Sequence, residues 1–203
     1  MSNRSVKTIL FDLGGVLIDF QGLSDIGNYI PETLNADQIR AKWVSSPSLV
    51  AFEHGQITMA EFTPRFVEEW NLSLPPEEFG DLFSGWIKGP LPGMETLLKD
   101  LRPHFTLACL SNTNAEHWDG MISRCGLGEL LDAQFASHLI GKMKPQKECF
   151  EYVCDAMALN PEQILFFDDG MENVDGAREA GLHAFQAKGP IEVRNILGEQ
   201  RVF

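Results

Sequence analysis

The chain has 203 residues, room for one full domain with an insertion or for two small domains, and too few for a large multidomain assembly. Its 44% apolar and 22% charged residues, with 18 Gly and 11 Pro, exclude disorder and collagen and suit a globular protein with a core. The 16 Lys and Arg against 29 Asp and Glu leave a net charge of −13, which opposes nucleic acid and anionic membranes as partners. An anionic small substrate then requires a local device, such as a metal ion or a placed lysine. Apolar runs such as Ile164-Leu165-Phe166-Phe167 fall far short of the roughly 20 residues a membrane span needs, and no charged-then-apolar leader opens the chain, so a cytoplasmic protein is expected. Cys109, Cys125, Cys149 and Cys154 form no CxxC pair and no zinc spacing with the histidines, so buried free thiols are expected.

The first element is the β-prone run Lys7 to Phe11, which stops at Asp12-Leu13-Gly14-Gly15, where paired glycines allow a tight turn and close approach to a ligand. Residues 20–88 then lose any strand alternation. Thr58 and Glu61 form a capping box ahead of Met59, Phe62, Phe66 and Trp70, and Pro75-Pro76 opens a helix carrying Phe79, Leu82, Phe83 and Trp86. Half of the chain's aromatic residues lie in this segment, enough for a core of its own. Gly89-Pro90-Leu91-Pro92-Gly93 reads as the return hinge.

Beyond it, strands are expected at Phe105–Leu110, Gln134–Ser137, Ile164–Phe167 and Leu182–Phe185. Helical faces separate them: Met94, Leu97, Leu98, Leu101; then Trp118, Met121, Ile122, Cys125; then Cys149, Phe150, Val153, Cys154, Met157. Strands alternating with amphipathic helices predict an α/β fold with a doubly wound parallel sheet, in which ligands bind beyond the carboxyl ends of the strands. Three of those ends are polar: Asp12, Ser111-Asn112 and Asp168-Asp169. Carboxylates converging from two strand ends suit a hard divalent cation such as Mg²⁺. Singly, each has a plainer reading, Asp12 as a turn residue and Asp168 as the cap of the following helix.

In order along the chain, Phe11-Asp12-Leu13-Gly14-Gly15-Val16, Ser111-Asn112, Lys144-Pro145 and Asp168-Asp169 with Asn173 resemble the four motifs of the haloacid dehalogenase superfamily. Ser111-Asn112-Thr113-Asn114 and Phe166-Phe167-Asp168-Asp169 are most similar to its branch of sugar 1-phosphate phosphatases, related to the amino-terminal phosphatase domain of soluble epoxide hydrolases. The resemblance implies a Rossmann-like core over residues 1–19 and 89–203, with 20–88 as a helical type I cap that moves about hinges near 17–21 and 88–93. It implies a Mg²⁺-dependent phosphatase hydrolysing a small phosphorylated metabolite, a sugar phosphate such as a hexose 1-phosphate, through an aspartyl-phosphate on Asp12. Lys144 then stabilises phosphate and phospho-aspartate, while Ser111 offers its hydroxyl and Asn112 its backbone N–H to phosphate oxygens.

The implied metal ligands are Asp12, the carbonyl of Gly14 and one carboxylate of the fourth motif. Counting back from Ala180-Gly181 puts Asp169 on the metal, with Asp168 and Asn173 orienting ligand and water from behind it. Gly14 departs from the pattern, since phosphatases of the superfamily usually carry there an aspartate that protonates the leaving group. The departure implies a preference for weakly basic leaving groups, or another donor, either water or a cap residue such as His54. His54 and His117 are candidates for the pocket, with structural roles as the plainer reading. Two alternatives stay open: a dehalogenase-type hydrolase, and a non-catalytic protein that binds a phosphometabolite.

Overall fold

The computed structural model of the chain describes residues 6–200 and 202. The outer ends of the expected core, 1–5, 201 and 203, lie outside the described residues. Strand β1 (Thr8–Phe11) is buried along its whole length and ends at Asp12. The chain then turns tightly, with the N–H groups of Leu17 and Ile18 both donating to the Leu13 carbonyl at 2.9 and 2.8 Å, into β2 (Ile18–Phe20). Helices α1 (Gly22–Asp25), α2 (Ala36–Val44), α3 (Pro47–Glu53), α4 (Met59–Trp70) and α5 (Pro76–Ser84) follow, before β3 (Ile87–Pro90) returns antiparallel to β2.

The rest alternates: α6 (Met94–Leu101), β4 (Thr106–Ser111), α7 (Ala115–Asp119) running on into a π turn, α8 (Leu127–Leu130), β5 (Ala133–Ala136), α9 (Ser137–Ile140), α10 (Lys147–Met157), β6 (Ile164–Asp168), α11 (Met171–Glu179), β7 (His183–Gln186) and α12 (Gly189–Glu199).

The sheet has the order β5-β4-β1-β6-β7, with every neighbouring pair parallel. Because successive side chains leave a strand on opposite faces, Ile9, Phe11, Leu107, Cys109, Leu165 and Phe167 enter one core, which α6 and α12 cover with Leu97, Leu98, Leu101, Val193 and Leu197. Leu10, Ala108, Leu110, Ile164 and Phe166 enter the other, under α10 and α11. This is the doubly wound α/β architecture that the alternation predicts. The expected strands are all present within a residue or two. The strand expected at Gln134–Ser137 ends one residue early because Ser137 starts α9 and ties its hydroxyl to Thr113. All four cysteines are free and buried.

A third cluster is built by the helices between β2 and β3, where Phe62, Phe66, Trp70, Phe79, Phe83 and Trp86 are fully buried. Each contributes about 1.5–3 kcal/mol of burial or more, and the Phe66 ring stacks on Phe79 at 5.0 Å. Capping decides where these helices begin: Asn35 and Thr58 close capping boxes with Gln38 and Glu61, and Ser46 caps α3 ahead of Pro47. The β2–β3 pair is not among the elements expected, nor are the short helices α8 and α9, and the helical face expected from Trp118 to Cys125 runs as the end of α7 and a π turn. The strand pair is three and four residues long, half-exposed, and contains Gly89-Pro90, so it carries no strand pattern and reads as a hinge. Among the described residues no helix is long and apolar enough to cross a membrane.

Gly176 shows how tightly α11 is set against the loop that follows α9. A Cβ there would lie 2.2 Å from the Pro145 carbonyl oxygen, a backbone atom that cannot swing aside. Gly176→Ala is therefore expected to destabilise the protein by about 1–3 kcal/mol and to displace Lys144, read as a fall in both the denaturation midpoint and activity.

Candidate active site

The parallel topology brings the carboxyl ends of β1, β4 and β6 to one edge of the sheet, at the floor of a cavity of about 430 Å³. Asp12, Gly14, Ser111, Asn112, Lys144, Asp169 and Asn173 all line it. Asp12 leaves β1 with its N–H held by the Phe167 carbonyl at 2.8 Å. Lys144, with a side chain only 1% exposed, donates to Asp12 Oδ1 at 2.7 Å and to Asp168 Oδ2 at 2.6 Å. Burial opposes a charge on Lys144, but the two carboxylates and their hydrogen bonds outweigh it and hold its pKa above the ordinary value. Burial pushes the Asp12 carboxyl up to about 7; Lys144 works against that rise, while Asp168 and Asp169 add to it.

The second motif does more than its sequence suggests. The Asn112 side chain clamps the Lys144 backbone, Nδ2 donating to the Lys144 carbonyl and Oδ1 accepting from the Lys144 N–H, both at 2.9 Å. Thr113 exchanges two hydrogen bonds of 2.9 Å with the Ser137 hydroxyl, and Asn114 caps α7. The Ser111 hydroxyl has no partner among the described residues and lines the cavity, free to donate to a ligand. In the fourth motif Asp168 is fully buried, and its Oδ1 accepts from the Gly170 N–H at 2.8 Å and from Asn173 Nδ2 at 3.0 Å. Asp168 thus both binds the lysine and closes the turn into α11. The Asp169 backbone carbonyl accepts from Gln186 Nε2 at 2.8 Å, and the Asp169 carboxylate, with no hydrogen bond among the described residues, meets Arg40 of α2 at 3.6 Å. Gly15, at φ +73, lets the β1 loop come this close, since a Cβ would stand 3.2 Å from the Asp169 carboxylate.

The two histidines do not supply chemistry here. His54 is absent from the cavity wall, and its Nδ1 is paired with the Val50 carbonyl at 2.9 Å. His117 lines the cavity, but its ring stacks on Phe83 at 4.3 Å, its Nε2 pairs with the Phe83 carbonyl at 2.7 Å, and burial lowers its pKa. Among the lining residues that sequence reasoning passed over, two are charged side chains of the segment between β2 and β3, Arg40 and Glu53. Arg40 also donates to Glu172 at 2.8 Å, joining α2 to α11. Nothing in the local sequence marks Arg40 out. Glu53 did carry a signal, because Leu49, Phe52 and Glu53 fall at i, i+3 and i+4 of α3, which puts a carboxyl in an apolar stripe.

A family model of haloacid dehalogenase-like hydrolases matches residues 6–181. The chain belongs to this family. Among curated relatives of this haloacid dehalogenase-like hydrolase, a phosphatase of Mycobacterium tuberculosis is 32% identical over 190 residues, 89% of this chain and 87% of that one. D-ribitol-5-phosphate phosphatase of Bacteroides thetaiotaomicron is 27% identical over 200 residues, 95% of this chain and 97% of that one. A solved family enzyme from the same organism, in complex with magnesium and inorganic phosphate, shares the fold with a TM-score of 0.69 and 24% identity over 90% of this chain and 94% of that one.

The donor set fits Mg²⁺. Asp12, Asp168 and Asp169 bring carboxylate oxygens within 4.8 Å of one another, all of them hard ligands. Three carboxylates against the two cations Lys144 and Arg40, the latter shared with Glu172, leave the trio with excess negative charge that a divalent cation would offset.

Proposed function

We propose that this hydrolase is a Mg²⁺-dependent phosphatase of a small phosphorylated metabolite, a sugar phosphate such as a hexose 1-phosphate, and that Asp12 is its nucleophile. The observation that carries this reading is the placement of Asp12: a carboxylate at the cavity floor, bridged through a buried lysine to Asp168 and grouped with Asp169. Lys144 takes Oδ1 and leaves Oδ2 without a partner among the described residues, available to attack phosphorus. Lys144 then offsets charge on the transferring phosphoryl group and on the aspartyl-phosphate, held in place by Asn112. Ser111 donates to a phosphate oxygen. Asp12, the Gly14 carbonyl and Asp169 would hold Mg²⁺, which when bound draws the anionic substrate to an acidic site. Residues 20–88 act as the cap, excluding water above the cavity.

One observation favours a second substrate class. Leu23, Leu49, Val50 and Phe83 form a wall of the cavity with no side-chain partner for a sugar hydroxyl, which suits a phosphate ester with an apolar body.

Purified protein assayed with p-nitrophenyl phosphate should release phosphate with Mg²⁺ and not with EDTA; phosphate binding without release would instead support a non-catalytic binder. A panel of sugar phosphates and of phosphates with apolar bodies, ranked by kcat/KM, decides between the two substrate classes. The freedom of Asp169 compared with Asp168 sets a further expectation: Asp169→Asn raises the Mg²⁺ concentration for half-activation about 10–100-fold, and more than Asp168→Asn does. Equal or reversed shifts in the titration would reassign the ligand.

A further inference from the structure

Gly14 leaves a departing alkoxide without the usual proton donor, yet the backbone does not require glycine there. Its φ is not positive, and a Cβ would meet only the Phe20 side chain, at an ordinary 3.6 Å. The vacancy is therefore chemical, and another group can fill it.

The titratable and charged groups around the cavity are almost all engaged. Asp12 and Lys144 pair with each other, Arg40 of α2 meets Asp169 and Glu172, and His117 of α7 is bound to the Phe83 carbonyl. Glu53 is the exception. It ends α3, is 9% exposed, lines the cavity, and its carboxyl has no hydrogen-bond or ion-pair partner among the described residues. Its oxygens are not sealed away but open to the cavity, so the carboxyl is free to meet a ligand there. Its strongest charged neighbours are Lys144 and Asp12.

Its position is also fixed. The turn after α3 passes through Gly55 at φ +70, whose Cβ would stand 2.6 Å from the His138 carbonyl oxygen, so only glycine lets this turn seat against α9.

We propose that Glu53 is the general acid and base of the reaction, supplied from the helical segment in place of the side chain that Gly14 lacks. The inference rests on the phosphatase reading. In the first step Asp12 forms a bond to phosphorus, the bond from phosphorus to the leaving oxygen breaks with its electron pair on that oxygen, and the Glu53 proton passes to it, giving the alcohol and a Glu53 carboxylate. In the second, that carboxylate takes a proton from water as the water oxygen bonds to phosphorus. The bond to Asp12 breaks, returning free Asp12, inorganic phosphate and protonated Glu53. Burial pushes the Glu53 pKa up to about 8, opposed by Lys144 and reinforced by Asp12, so the acid form is present at neutral pH and is lost as pH rises through that value.

The test is Glu53→Gln, compared on a primary alkyl phosphate such as sorbitol 6-phosphate and on p-nitrophenyl phosphate, whose leaving group needs no proton. The variant should lose about 10²-fold or more in kcat/KM on the alkyl ester but less than about 10-fold on the aryl ester. It should melt no lower than the wild type, because no partner is lost. Glu53→Asp, which keeps the acid but withdraws it by one methylene, should fall between the two on the alkyl ester. Equal losses on both esters, no loss on either, or equal rates for the Gln and Asp variants would overturn the assignment while leaving the phosphatase reading intact. A wild type without Mg²⁺-dependent hydrolysis of p-nitrophenyl phosphate would instead remove that reading, and this inference with it.

Discussion

Asp12→Asn should lower kcat by on the order of 10⁴–10⁶-fold, the scale seen when a nucleophile is removed from a site that otherwise stays assembled. The amide is nearly isosteric, and its Oδ1 still accepts from Lys144, so the loop keeps its shape. It offers no anionic oxygen to attack phosphorus and only a weak ligand for Mg²⁺. The substitution also removes a carboxyl whose ionisation burial resists, so the melting temperature should hold or rise. Single-turnover phosphate release together with a thermal melt checks both halves. Substantial turnover in a contamination-free preparation would refute the nucleophile assignment.

Lys144→Met should cost both activity and fold. Lys144 is the shared counter-charge of Asp12 and Asp168, and deleting one member of a buried ionic cluster costs about 3–5 kcal/mol because the others remain buried and uncompensated. The loss has a pH signature. Without metal, folded Asp12 titrates near 7 and its unperturbed value is 3.8, so the folded state binds this proton more tightly than the unfolded chain. The stability linked to that proton is complete below pH 3.8 and is lost as pH rises through about 7. Removing Lys144 takes away the influence that lowers this pKa, so the variant's deficit should widen as pH rises and narrow as it falls. Thermal melts in EDTA between pH 5 and 8 measure it; a gap that is constant or widens toward low pH would show that Lys144 is not compensating buried carboxylates.

The sheet was legible in the sequence because burial on both faces leaves a strong local trace: short apolar runs such as Ile164–Phe167, each followed by a helix with one apolar face. Once the strands are parallel, their carboxyl ends must share an edge, so Asp12, Ser111 and Asp168 could be placed together from topology alone. The β2–β3 pair left no such trace, being too short and too exposed to carry a period.

The cavity is a different matter, since it is assembled from residues far apart in the chain. Asn112 grips Lys144 across 32 positions and Lys144 reaches Asp12 across 132, distances over which periodicity says nothing. Glu53 ends α3 and His54 follows it as the C-cap, and the imidazole, common in acid–base roles, made His54 the natural candidate for a proton donor. A helix turns about 100° per residue, however, and the packing of α3 against α4 and α9 decides that Glu53 faces the cavity while His54 turns back to Val50. Sequence by itself determined which layers form and which strand ends carry polar groups, because burial is encoded locally. The tertiary structure alone decided which side chains from the helical segment meet them, because that depends on how two separately packed units are fitted together.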